Sequence, residues 1–423
     1  MLLCIFEDNL VGNFYPLVYL RPVYALRCGA LSLRQKILSH FSQTHVAFHV
    51  RSYLLDCLRE RFPENSVNEI AADRCFLVNG RILADSHLAK QVPTKWKEDL
   101  LFVDGETPVA AWVSGNRLEY LKRKMGGGTL GIADFDGLPR REVEARLLQY
   151  PWDLLSANAR EIVSDVAMMT KRSKRKIQGK VHPGVHLINR REIFVGKRSS
   201  IKPGAVLDAE HGPIYIGDEV QIHPNAVIEG PAFIGRGSVV KIGAKIYEST
   251  SIGEVCKVGG EIEGSIVHAF ANKQHDGFLG HSYICPWVNL GADTNNSDLK
   301  NNYSSVRVYL NGKLFDSGQL SVGLFMGDHS KSGINSMFDT GTVVGVSCNI
   351  YGAGAPSKFV PSFSWGGSEK LVEYRLSKSI DVAQKVMERR SVRFTAAYGD
   401  AFRAVFDLTA GERYRLRVHR ENS

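Results

Sequence analysis

Between Ile216 and Val258 an aliphatic residue returns every sixth position: Ile216, Ile222, Ile228, Ile234, Val240, Ile246, Ile252 and Val258. With roughly a quarter of residues aliphatic in ordinary composition, chance gives such a run about once in 10^5 starts. Four residues after each aliphatic stands a small or modest one: Val220, Ala226, Ala232, Ser238, Ala244, Thr250 and Cys256, until Ile262. A helix repeats at 3.6 and a strand at 2. A period of six requires short strands joined by turns. Three strands close a triangular coil of about 18 residues, stacked about 4.8 Å above the last. The aliphatic fills the prism and the small residue fits its corner. The glycines after the aliphatic, at 217, 235, 253 and 259, are expected to supply the corner's backbone angles.

The period extends upstream through Val181, Leu187 and Ile193, then Val195, Ile201 and Leu207. Downstream it includes Ile284, Leu290, Met326, Ser332, Phe338, Val344 and Ile350. A parallel β-helix is therefore expected over about 181–365, interrupted at 263–280 and 295–320. Such interruptions are loops on one face, often the binding face.

Residues 1–150 lack this period and read as mixed α/β. LLCIF (2–6), CFLVNGRIL (75–83), LLFVD (100–104) and PVAAWV (108–113) are strand-like, and LSLRQKILSHF (31–41) is helical. Residues 141–169 look helical, broken at Pro151, and lead through a basic linker over 151–180. Residues 366–423 form a C-terminal helical cap. Its amphipathic helix spans 368–390, with Leu371, Tyr374, Val382 and Val386 on one face, and is expected to cover the prism's open end.

The chain has 423 residues, 44% hydrophobic and 23% charged, enough for two or three cores. No stretch is long and apolar enough for a membrane span. The start, MLLCIFEDNL, has no basic leader, which argues against a secretory signal. Seven scattered cysteines without a CxxC pair suggest free thiols in a reducing cytoplasm. Part of the net charge of +9 lies in Lys171-Arg172-Ser173-Lys174-Arg175-Lys176, read as a solvated linker face. No nucleic-acid motif is present, so no nucleic-acid partner is expected. Acidic small molecules suit the charge surplus.

Two polar stretches interrupt the apolar period: NKQHDGFLGHS (272–282) and WVNLGADTNNSDLKNNY (287–303). With FYPLVYLRPVYALRCG, FLVNGRILAD and YPWDLL, they carry a resemblance across almost the whole chain. The sequence resembles the bifunctional UDP-N-acetylglucosamine pyrophosphorylase/glucosamine-1-phosphate N-acetyltransferase family, and within it a divergent bacterial branch of sugar nucleotidyltransferases. The resemblance implies an α/β nucleotidyltransferase-like front domain, a left-handed β-helix, homotrimers with shared acyl sites, acetyl-CoA as co-substrate and Mg²⁺. The substrates implied are a sugar phosphate and a nucleoside triphosphate. The function implied is N-acetylation of an amino sugar, with possible nucleotidyl transfer to a sugar 1-phosphate at the front.

By this resemblance His275, with three residues between it and Leu279-Gly280, takes the place of the family's general base, ahead of His281 and His268. Imidazole titrates near neutrality and suits removal of an amine proton. Asn289 and Ala292 match positions that hold sugar and acetyl thioester; Asn289 is expected to steady the oxyanion. Asn295, Asp298 and Lys300 occupy a family sugar-site stretch, and Gly333 and Thr340 fall where coenzyme A is wrapped. The family's tyrosine after the base is Phe278, and a phosphate-binding lysine is replaced by Glu263, which repels a phosphate. The phosphate is then expected near Lys273 or Lys300. At the front, Arg21 and Arg27 stand in the phosphate-loop region and Asp104 is the candidate Mg²⁺ ligand. Arg81 holds the expected metal position, with Asp85 beyond it. Two other functions remain open: nucleotidyl transfer alone, and a non-catalytic sugar-nucleotide-binding trimer.

Overall fold

A computed structural model describes residues 2–41, 44–126, 128–171 and 176–418. Arg172, Ser173, Lys174 and Arg175 of the basic run lie outside the described residues. The chain divides into two compact units. One comprises residues 1–26, 31–150 and 395–405; the other comprises 27–30, 151–394 and 406–423.

The first unit is built on a seven-stranded sheet. Its order is Ser66–Val67, His45–Phe48, Leu2–Phe6, Arg74–Asn79, Thr107–Ser114, Leu100–Asp104, Arg140–Glu142. Leu2–Phe6 is buried on both faces, as its unbroken apolar run requires, and pairs in parallel with both neighbours. The segment expected to be helical from 141 differs. It opens as the edge strand Arg140–Glu142, and the helix begins only at Pro151, where a missing N–H costs nothing.

The acids that follow the central strand are both neutralised inside this unit. Glu7 pairs with Arg51 at 3.1 Å and also accepts from the Val23 N–H. Asp8 pairs with Arg81 at 2.5 Å and accepts from Asn79 Nδ2. Desolvation makes a buried lone charge expensive, so each arginine and its acid must be retained together. Beside them, His49 is buried and accepts the Glu7 N–H on Nδ1, so its Nε2–H donates to the Gly128 carbonyl.

The second unit is the prism. Its first face stacks six strands from Lys180–Val181 to Asn272–Lys273 and resumes from Lys331–Ser332 to Ser364–Gly366. The second face runs from His186–Ile188 to Phe278–Gly280. The third stacks nine strands from Ile193–Val195 to Phe359–Val360. All successive strands on these faces are parallel, up to a final antiparallel strand, Leu371–Glu373, laid against Ser364–Gly366. The eight aliphatics from Ile216 to Val258 are at most 1% exposed and the small residues Val220 through Cys256 are fully buried.

The glycines after the aliphatics have a role other than the one expected. None of Gly217, Gly235, Gly253 and Gly259 has positive φ. They allow close approach: a Cβ on Gly253 would overlap the His268 carbonyl, and one on Gly259 would lie 2.7 Å from the Gln274 carbonyl. The left-handed positions fall later in each turn. One corner is a column of them: Arg198, Glu219, Gly237, Val255, Phe270, Trp287, His329, Ser347 and Phe363.

Residues 263–280 do not interrupt the prism. They form strands on all three faces, in a coil shortened so that Ile252 pairs with Val267, fifteen positions on. The second interruption is real: Leu299 bridges Ser321, and between them Arg307–Leu310 and Lys313–Asp316 form an antiparallel hairpin.

The helix Pro151–Thr170 is no open linker. It packs on the prism through Ile162, Val166, Phe194 and Tyr215, and Asn158 bonds Ser249 and Ser251. The expected amphipathic helix spans Leu376–Glu388, is followed by helices Ala396–Leu408 and Ala410–Arg415, and lies along the prism's side, from Ser347 to Val255, instead of its end. Its buried residues are Ser379, Ala383 and Met387, with Val382 and Val386 only half-buried. Small side chains allow the close approach in which the Ser379 and Ser347 hydroxyls meet at 2.7 Å. The antiparallel strand Leu371–Glu373 follows the last coil, with Leu371 packed against the core.

Burial holds the His49 pKa below its usual value, against the charge of Glu7. The unfolded chain therefore binds a proton that the folded chain resists. Stability is fully present above the unfolded pKa of about 6.5 and falls as pH drops through the folded value. Urea midpoints measured between pH 8 and pH 5 are expected to decline in the wild type and to decline less in His49→Gln.

Candidate functional site

The second face of the prism ends at Phe278–Gly280, and a histidine stands at each edge of that strand. His275 lies in the turn before it and is exposed; its carbonyl accepts from Lys273 Nζ. His281 lies in the turn after it, in a left-handed conformation at φ 42°. Its Nδ1 meets Asp298 Oδ2 at 2.7 Å, with side-chain exposures of 30% and 16%. Two features make this pair possible. A side chain on Gly280 would collide with the Asp298 carboxylate, and one on Gly264 would lie 2.9 Å from the His281 ring.

Burial pulls the His281 pKa down, but the hydrogen bond and charge of Asp298, helped by Glu263 and Glu248, outweigh it and leave the pKa raised. Glu263 pairs in register with Gly280, and its carbonyl accepts the His281 N–H. Its carboxyl is raised by burial, against His281, with Asp298 and Glu248 adding to the rise. The arrangement is an imidazole fixed by a carboxylate on one nitrogen, leaving Nε2 for a substrate proton.

Several residues expected to bind substrate are engaged in holding the fold. Lys273 is 2% exposed and its ammonium donates to the Gly259, His275 and Asp276 carbonyls. Burial lowers its pKa to about 8. It fastens the corner instead of facing a phosphate. Asn295 accepts the Phe278 N–H and donates to the Asp293 carbonyl, continuing the ladder with its side chain. Asn289 stands on the first face, beside Asn272. Ala292 and Gly333 are at the corner between first and second faces, where the Ala292 carbonyl accepts from Asn335.

Lys300 and Thr340 come together. They line a cavity of about 480 Å³ with Ser297, Asp339 and Lys358. Lys300 Nζ bonds the Ser304 hydroxyl and the Ser305 carbonyl, and Lys358 Nζ bonds Thr340. Burial lowers the Lys358 pKa, Asp339 opposes this, and Lys300 and Arg307 add to the lowering. Two ammonium groups and a hydroxyl suit a phosphate. Sequence reasoning did not single out Lys358, since it lies beyond the polar stretches.

The expected front site is not assembled as foreseen. Arg27 falls in the second unit. Its guanidinium grips Glu254 at 2.6 and 2.8 Å, lies 5.2 Å from the centre of the Phe233 ring and bonds the Ala30 carbonyl. Arg21 falls in the first unit, 6% exposed, and donates to the Leu17 carbonyl. Asp104 accepts the Ala145 N–H, and Asp85 caps the helix Ser86–Gln91 and pairs with Arg146. Among the described residues no group of three or more His, Cys, Asp or Glu side chains is placed to hold a metal ion. Asp8 is taken by Arg81, which leaves Asp104 as a single carboxylate to meet a Mg²⁺ completed by substrate phosphates.

Residues 3–174 match the sugar nucleotidyl transferase family. A bifunctional sugar-1-phosphate nucleotidylyltransferase/acetyltransferase of Sulfurisphaera tokodaii is 31% identical over 150 residues, 32% of this chain and 37% of that one. A bifunctional protein GlmU of Synechococcus sp. (strain CC9311) is 24% identical over 208 residues, 48% and 40% of the two chains. The match thus spans about two fifths of these curated relatives' own length. Among solved structures, a UDP-N-acetylglucosamine acyltransferase of Francisella novicida aligns over 56% of this chain and 77% of its own, at 11% identity and a TM-score of 0.29. No helix among the described residues is long and apolar enough to cross a membrane.

Asp298→Asn removes the charge that raises His281. The imidazole titration, followed by NMR of labelled histidine, is expected to shift to lower pH in that variant, and to stay in place in Asp293→Asn.

Proposed function

We propose that this protein is a transferase of sugar-nucleotide biosynthesis whose prism moves an acetyl group from acetyl-CoA to the amine of an amino sugar. The observation that carries the reading is the His281–Asp298 pair at 2.7 Å. Its neighbours on the second face are hydrogen-bonding groups, and a cavity bearing Lys300 and Lys358 borders it in sequence. The names of the relatives, which join nucleotidyl and acetyl transfer, point the same way.

The acceptor lies across the second face, its phosphate toward Lys300 and Lys358 and away from Glu263. His281 Nε2 takes the amine proton as nitrogen attacks the thioester carbonyl, and Asp298 steadies the imidazolium that results. The C–S bond breaks and the imidazolium passes its proton to the sulfur, so that coenzyme A leaves as its thiol. Asn289 donates to the oxygen that gains charge. The resemblance gives the base to His275; the carboxylate partner is the reason for preferring His281. Asn289 and His281 occupy different sides of one prism, so the complete site takes Asn289 from a neighbouring copy, in a cytoplasmic homotrimer. In the front unit, the match over residues 3–174 supports nucleotide recognition. No metal-dependent step is assigned there.

Thiol release from acetyl-CoA with a panel of amino sugar phosphates tests the base. His281→Ala is expected to lose about 10²–10⁴-fold in turnover, and His275→Ala less than about tenfold; the reverse order returns the role to His275. Subunit exchange tests the sharing. Mixing His281→Ala with Asn289→Ala raises activity above that of either variant alone if neighbours share a site, and not if they do not.

A further inference from the structure

Asn272, Asn289 and Lys331 follow one another up the first face, each bridging the next. Arg390, just past the C-terminal helix, reaches this column. Its guanidinium donates to Asn272 Oδ1 at 2.8 Å and to the Val255 carbonyl at 3.2 Å. Asn272 Nδ2 in turn donates to Asn289 Oδ1 at 3.2 Å.

The polarity of this chain is forced. A guanidinium has donors and no acceptor, so the Asn272 atom facing Arg390 is the oxygen. The amide nitrogen of Asn272 must then face Asn289. That nitrogen cannot accept, so Asn289 meets it with its own oxygen. The Asn289 nitrogen is left pointing away from Asn272. On the far side stands Lys331, whose ammonium donates to the His329 carbonyl at 2.9 Å and is also a pure donor. Left to itself, Asn289 would turn its oxygen toward that ammonium. Arg390 prevents the turn from two residues away.

We propose that Arg390 is a positioning residue: acting through Asn272, it holds the Asn289 amide N–H₂ and the Lys331 ammonium as neighbouring donors that receive the thioester carbonyl oxygen. This rests on the acetyl-transfer reading. It adds that the C-terminal segment sets the orientation of a group it does not touch, and that Lys331 supplies a second donor. Lys331 suits the task because it is desolvated, which strengthens its hydrogen bonds; burial lowers its pKa to about 8.

The test compares Arg390→Ala, Arg390→Lys, Asn272→Asp and Asn289→Ala. Asp at 272 still accepts from Arg390 but can no longer donate, so Asn289 turns round to meet it. Arg390→Ala and Asn272→Asp are expected to lower kcat toward the Asn289→Ala value, about 10²-fold, with KM for the sugar unchanged. Arg390→Lys keeps a donor and recovers to within about threefold. The Arg390→Ala/Asn289→Ala double variant matches Asn289→Ala alone. Multiplying effects, or no recovery with lysine, would overturn the proposal. Should the wild type release no thiol, the acetyl-transfer reading fails by itself. The relay is then judged on a crystal structure of Asn272→Asp at about 1.2 Å, where hydrogens become visible. A reversed Asn289 amide supports it and an unchanged one overturns it.

Discussion

Backbone hydrogen bonds between one coil and the next set the rise of the prism, and everything else in the second unit is placed by that spacing. Backbone N–H groups find a carbonyl on the next coil: Gly196 donates to Ile216, Gly217 to Ile234 and Gly235 to Ile252. The interior is then fixed in cross-section, and a sixth-position aliphatic fills it. Losing one such side chain would leave a cavity that a stacked backbone cannot collapse. The same rigidity makes the corners columns. A side chain on one turn stands directly over its equivalent on the next.

The candidate site lies where this regularity is relaxed. The coil after Ile252 is shortened, and the hairpin Arg307–Asp316 is inserted two coils on. Between these departures lie His281, Asp298, Asn289 and Lys300. Polar side chains there replace backbone partners: Asn296 bonds both the N–H and carbonyl of Gly280, and Asn295 bonds Phe278. A ladder kept by side chains leaves room for others to turn outward. The His281–Asp298 pair uses that room, over a glycine on each neighbouring strand.

The prism was readable from the sequence because its period belongs to the backbone itself. Eight aliphatics in step left no other coil. The glycines were misassigned, since spacing alone does not separate a strained turn from a close approach between coils. The shortened coil was hidden for the same reason: three missing residues look like a lost period, yet Val267 simply takes the place Ile252 prepares. The site was half visible. The polar stretches were found, but the carboxylate that singles out His281 comes from seventeen residues later, and no local spacing announces it. Arg27 and Lys273 illustrate the reverse error: a cation in a promising motif can equally be held by Glu254 or by three carbonyls.

The two units thus differ in how they treat charge. The first buries it in matched pairs, Glu7 with Arg51 and Asp8 with Arg81, where it supports the sheet. The second leaves one imidazole oriented and reachable. That contrast is tested most directly by a crystal structure with an amino sugar phosphate bound. The account predicts the sugar nitrogen about 2.6–3.2 Å from His281 Nε2, with the phosphate beside Lys300 and Lys358. A sugar amine bound away from His281, or a phosphate seated against Glu263, would contradict it.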